Sequence, residues 1–124
     1  MERLLLFNSP DTDKIKKIAA PMKIKVLTAD PARYNETLRE LASTDKKEKP
    51  STDNVFTGKV PAESLLLFCE VADKKIDKIL SQLRKNNINI DFKAVLTPTN
   101  SYWNVLKLYL EMEREKIQYA NALK

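Results

Sequence analysis

The chain has 124 residues, 43% hydrophobic and 31% charged, and its 22 basic and 17 acidic side chains leave a formal charge of +5. That length suits one domain (1–124) with one core rather than two full domains, and the composition argues against disorder and against a membrane span, the longest apolar run being LLLF. With no histidine, one cysteine (Cys69) and one glycine (Gly58), the chain lacks the parts for His-based triads, His metal sites, Cys-rich zinc or iron–sulfur centres, an intrachain disulfide or a glycine-rich phosphate loop.

From the start, MERLLLFNSP turns polar at Asn8, too early for a secretory signal, so a cytoplasmic location is expected. Leu4 to Phe7 is a short continuous apolar run that predicts a strand buried on both faces. Asp11 or Asp13 opens a helix carrying Ile15, Ile18 and Ala19, which Pro21 ends near Ala20. A second strand follows at Ile24 to Thr28. In ADPAR, Asp30 and Pro31 read as a helix start, with Tyr34, Leu38 and Leu41 along one face. No large apolar residue occurs from Ser43 to Asn54, which predicts a mobile linker (about 43–61) in which Val55 and Phe56 dock locally at most.

Leu65 to Val71 predicts a third strand. Asp73 opens a helix with Ile76, Ile79, Leu80 and Leu83 on one face, and KNN closes it, because asparagine tolerates a left-handed cap. Ile88, Ile90, Phe92 and Ala94 alternate with polar residues before Val95 and Leu96 complete a fourth strand, and a long helix starts near Ser101.

The two halves, about 1–42 and 62–124, echo one another. Leu4 to Phe7 matches Leu65 to Phe68 at an offset of 61 (65 − 4), and Val26 to Thr28 matches Val95 to Thr97 at 69 (95 − 26). The expected fold is α/β, a four-stranded, mostly parallel sheet built from two strand-helix-strand-helix repeats. The alternative is a ferredoxin-like α+β sheet, since the linker is long enough to reverse the chain's direction before the third strand.

A parallel sheet gathers its strand C-terminal ends on one side, and the ligand rim expected there consists of Asn8, Asp30, Cys69, Thr97, Thr99 and Asn100. Two helix starts could hold a small polar or anionic ligand, but capping is the simpler role for TPTNSYW, with Thr99, Asn100 or Ser101 satisfying free N–H groups and Trp103 anchoring the first turn. Without a histidine as base, Cys69 reads as a buried thiol rather than a nucleophile, and Asp11-Thr12-Asp13 reads as a cap rather than a cation site. No catalytic residue, metal or cofactor is expected, and the balance favours a non-enzymatic chain.

The lysines of DKIKK, DKKEK and DKKIDK all stand beside carboxylates, so the positive charge is not gathered on one face and nucleic acid is not the expected partner. The last helix is apolar around much of its circumference: Trp103, Leu106 and Leu110 form one stripe, and Val105, Leu108, Tyr109 and Met112 extend it. An interface through Leu108, Met112, Ile117 and Tyr119 is therefore expected, to a protein partner or to a second copy in a homo-oligomer.

The runs LLLFCEVADKKIDKILSQLR and FKAVLTPTNSYWNVLKLYLEME, with LLLFN…IKVLTAD upstream, resemble a bacterial family known as domain of unknown function 3783. The likeness is sharpest at Lys93-Ala94-Val95-Leu96-Thr97, Asn100 and Trp103. Members of that family often have a glycine after the third strand and an acidic-histidine pair late in the last helix; this chain has Glu70-Val71 and no histidine. The resemblance implies a compact bacterial domain in which the LTPTN turn matters, and no reaction. The function expected is that of a cytoplasmic, non-catalytic interaction or regulatory module, with a small-ligand or nucleotide-binding domain at the rim as the alternative.

Overall fold

The computed structural model describes residues 2–43 and 57–122, with side chains up to Glu115 in the last helix. Most of the expected linker, 44–56 including Val55 and Phe56, lies outside the described residues. The elements, in order, are β1 (Arg3–Phe7), α1 (Thr12–Ala19), β2 (Lys25–Thr28), α2 (Leu38–Ala42), β3 (Leu65–Cys69), α3 (Asp73–Lys85), β4 (Phe92–Val95) and α4 (Val105–Ala122). Short 3₁₀ turns stand at Ala20–Met22, Pro31–Arg33 and Asn100–Tyr102. Two compact units result: Met1–Asp30 with Ala62–Leu96, and Pro31–Pro61 with Thr97–Lys124.

The first unit holds the sheet, in the order β2-β1-β3-β4. β1 pairs parallel with β2 and β3 parallel with β4, but the central pair is antiparallel, with Arg3 opposite Cys69 and Phe7 opposite Leu65. The sheet is thus mixed, with two of its three pairings parallel. The ferredoxin-like alternative does not form, because β1 and β2 are direct neighbours with no strand inserted between them.

The continuous apolar runs do what two-sided burial demands. Leu4, Leu5, Leu6 and Phe7 are at most 1% exposed, and Leu65, Leu66 and Leu67 are fully buried. Each such leucine removed from water stabilises the fold by about 1.5–3 kcal/mol. On one face, Leu4, Leu6, Leu66 and Phe68 pack with Ile15 and Ala19 of α1 and Ile79 and Leu83 of α3. Glu2 joins the two ends of this unit: its carboxylate accepts the Ala72 N–H at the start of α3 (3.0 Å) and the Lys75 ammonium.

Among the described residues, four other than glycine have left-handed backbone: Asn8 and Glu70 just after β1 and β3, and Lys23 and Asn87 after the helices that follow. A Cβ makes that conformation costly, by about 1–2 kcal/mol. Glu70 occupies the place where the resemblance calls for glycine, and its positive φ of 57° is the physical reason a glycine suits that turn. Thr37 and Asn104 pair in an isolated antiparallel bridge.

In the second unit both expected helix starts are displaced. Pro31–Arg33 and Asn100–Tyr102 are 3₁₀ turns, and the α-helices begin only at Leu38 and Val105. The reason is a better cap further along. Thr37 Oγ1 accepts the Glu40 N–H at 3.3 Å while the Glu40 carboxylate accepts the Thr37 N–H at 3.2 Å, a capping box. Asn104 Oδ1 likewise accepts the Lys107 N–H at 2.9 Å. Between the 3₁₀ turn and α2, Arg33 grips Glu36 through two hydrogen bonds, 2.8 and 3.0 Å, and Glu36 is only 7% exposed. Tyr34 is fully buried.

Candidate functional site

The antiparallel centre of the sheet divides the expected rim. Asn8 follows Phe7 at one end of the β1–β3 pair, whereas Cys69 ends β3 opposite Arg3 at the other. Residues beyond β2 share the Asn8 end, since the Ala29 N–H donates to Leu6 O at 3.1 Å, and Leu96 reaches the Cys69 end by donating to Phe68 O at 2.9 Å. Asn8 and Cys69 therefore do not converge on one ligand. A single rim requires strands that all end on one side, and the chain reversal between β2 and β3 removes that condition.

Each rim residue already has a local environment. Asn8 is exposed and its Nδ2 donates to the Ala62 carbonyl at 2.7 Å, tying the turn after β1 to the approach to β3. Asp30 is exposed. Cys69 is fully buried, its Sγ lies 3.8 Å from the Leu67 carbonyl, and burial pushes the thiol pKa up to about 12, with Arg3 lowering it and Glu70 raising it more weakly. A thiol held in that state is not a nucleophile at neutral pH.

The TPTN turn closes on itself. Asn100 Oδ1 accepts the Thr97 N–H at 2.7 Å, and Thr97 Oγ1 accepts the Asn100 N–H at 3.1 Å. Ser101 Oγ donates to the Pro98 carbonyl at 2.9 Å, and the Ser101 N–H donates to the Thr97 carbonyl. Asn100, 9% exposed, is the polar anchor of this turn, while Thr99 is exposed and caps nothing with its side chain. These groups satisfy backbone donors that a tight turn leaves open.

The α4 residues expected at an interface differ in their surroundings. Leu108 is 2% exposed and belongs to the core with Val105 and Tyr109, so it offers nothing to a partner. Met112 is half-buried, and the side chains of Ile117 and Tyr119 lie outside the described residues. The outward face is instead marked by Leu110, 60% exposed, and by Tyr102 in the preceding turn, 67% exposed. Leu110 was visible in the sequence as part of the Trp103–Leu106 stripe; Tyr102 was not singled out there. Cations attend both aromatics: the Arg39 guanidinium lies 5.4 Å from the Tyr102 ring centroid and donates to its hydroxyl at 3.3 Å, and Lys107 Nζ lies 5.1 Å from the Trp103 centroid. Arrangements of this kind contribute about 0.5–1 kcal/mol each at exposed sites.

Among the described residues no group of three or more Cys, Asp and Glu side chains is placed to hold a metal ion, and no helix is long and apolar enough to cross a membrane.

Residues 64–119, from the approach to β3 well into α4, match the family model of a domain of unknown function, DUF3783. Over that segment the chain is similar to the DUF3783 family. The match covers β3, α3, β4, the TPTN turn and most of α4, so the strongest part of the likeness, from Lys93 to Trp103, falls within it. The upstream LLLFN and IKVLTAD runs lie outside it. No curated protein and no solved structure matches the chain.

Proposed function

We propose that the protein is a cytoplasmic, non-catalytic interaction or regulatory module, assembled from two copies of one strand-helix-strand-helix unit, that docks a partner protein on the outward side of α4 and the turn before it. The observation that carries this reading is the exposure of Tyr102 and Leu110 at 67% and 60%, beside Arg39 and Lys107. Exposed large apolar groups flanked by cations favour a partner segment whose own apolar side chains are bordered by carboxylates. The buried, fully protonated Cys69 and the self-satisfied TPTN turn support a role without chemistry.

The test is partner capture and light scattering on the intact chain and on a Tyr102→Ala/Leu110→Asp variant of unchanged fold. The reading expects an identified acidic partner retained by the intact chain and lost in the variant, with retention falling as salt rises. Self-association that the same variant abolishes would replace that partner by a second copy. Equal retention by both chains, or a monomer that binds nothing, overturns the reading.

A further inference from the structure

We propose that the cleft between the C-terminal half of α3 and the α3–β4 connection binds a small organic anion: a carboxylate or phosphate head on a compact apolar body. The proposal concerns the sheet-bearing unit and is independent of the surface on α4. The cleft has a volume of about 410 Å³, within the range of pockets that take metabolite-sized ligands.

Its construction follows from a difference between the two connections. After α1 the chain passes from left-handed Lys23 through Ile24 directly into β2, but after α3 the residues Ile88 to Asp91 intervene between left-handed Asn87 and β4. Both connections open with the same pair of bonds: the Ile88 N–H donates to Leu83 O at 2.9 Å and the Asn87 N–H to Arg84 O at 3.2 Å, as Ile24 and Lys23 do to Ala19 O and Ala20 O. Only the second then adds residues, and of these Asn89 and Ile90 line the cleft beside the helix end. Leu80, Ile88 and Ile90 give the cleft an apolar lining, and the two isoleucines are themselves only 5% and 6% exposed, so this lining is fixed by the core.

Two cations, Arg84 and Lys93, join that lining from opposite elements, α3 and β4. Lys93 Nζ is placed over the connection by its hydrogen bond to the Ile90 carbonyl at 3.4 Å. The acid in the same connection, Asp91, is directed elsewhere: its Oδ2 accepts the Ser64 N–H at 2.8 Å and the Ser64 hydroxyl at 3.3 Å. The cleft thus carries positive charge with its neighbouring carboxylate turned to another partner, and the amides of Asn87 and Asn89 add neutral donors. A guanidinium fork and an ammonium converge naturally on a carboxylate or phosphate, and the isoleucines on what is attached to it.

The experiment is a titration of the full chain, followed by backbone amide shifts, with hexanoate, hexyl phosphate, inorganic phosphate and 1-hexanol. The expected result is saturable binding of hexanoate or hexyl phosphate with shifts centred on residues 84–93, and binding at least about tenfold weaker for inorganic phosphate and for hexanol, each of which lacks half the ligand. Arg84→Gln/Lys93→Gln should weaken the preferred probe by about tenfold or more. Both side chains are exposed, so an unchanged urea midpoint will show that the variant folds normally. No saturable response at millimolar probe, shifts centred elsewhere, hexanol binding as well as hexanoate, or an affinity unchanged in the double variant overturns the assignment.

Discussion

The Leu38 N–H donates to the carbonyl of Trp103 at 2.8 Å, so the first residue of α2 is bonded to the residue that precedes the cap of α4. Thr37 and Asn104 form an antiparallel bridge at the same place. Two helices distant in sequence are therefore started from a single short backbone ladder, and each cap side chain stands beside it.

Removing either cap should be costly out of proportion to its exposure. Thr37→Ala loses the capping box and is expected to destabilise the chain by about 1 kcal/mol, within the ~0.5–2 kcal/mol usual for caps, whereas Thr37→Ser retains the acceptor and most of the stability. Asn104→Ala should behave like Thr37→Ala. Urea unfolding of the three variants checks the order.

Asn100 is a buried acceptor for the Thr97 N–H. Asn100→Leu leaves that donor without its partner and should cost about 1–3 kcal/mol, while Asn100→Asp keeps an acceptor and should cost less. If the turn served only as a flexible connector, the two substitutions would have equal and small effects on the thermal midpoint.

Lys23 closes the turn after α1 in left-handed backbone, φ 59°, with an exposed side chain. Lys23→Gly relieves the Cβ and should raise stability by about 0.5–1 kcal/mol despite the greater freedom of the unfolded chain; Lys23→Val should lower it. Chemical denaturation of the pair gives the sign.

Glu2 predicts a pH dependence. Its hydrogen bond from Lys75, then that from the Ala72 N–H, holds its carboxyl below the ordinary value of 4.5. A lowered folded-state pKa means that the contribution is complete above 4.5 and is lost as pH falls from there through the lower, folded value. Glu2→Gln should therefore be less stable than the parent at neutral pH, and the two stability curves should converge as the solution is acidified below 4.5. Parallel curves over that interval would show that the Glu2 carboxylate is not coupled to folding.

Cys69, with its thiol pKa near 12, should resist thiol-disulfide reagents in the folded chain at pH 8 and react fully once the chain is unfolded in denaturant. The measured quantity is the ratio of the two labelling rates. Rapid labelling of the native chain would show that the C-terminal end of β3 is open to solvent.

Much of the fold is legible locally. Runs of apolar residues locate β1 and β3, helical spacing picks out Ile15, Ala19, Ile79 and Leu83, and the asparagine after α3 takes the left-handed conformation that its short polar side chain tolerates. The late helix starts were also written in the sequence, as Thr37-Leu38-Arg39-Glu40 and as Asn104 ahead of Val105, but Asp30-Pro31 and the potential caps Thr99, Asn100 and Ser101 gave an earlier and misleading signal. That Arg84 and Lys93 line one cleft is not legible locally, because a cation at a helix end and an alternating lysine on a strand each have an ordinary explanation.

What the sequence by itself determined is the kind and order of the elements, because hydrophobic period, caps and turn residues act over a few positions. It also ruled out chemistry that needs histidine, paired cysteines or clustered glycines. What only the tertiary structure decided is the direction of β3 against β1, since a segment of that length permits either sense and the choice is made by pairing and burial across the whole sheet. With that direction came the separation of Asn8 from Cys69. Tertiary packing in the second unit likewise buries Leu108 and leaves Leu110 exposed, two residues that composition alone treats alike.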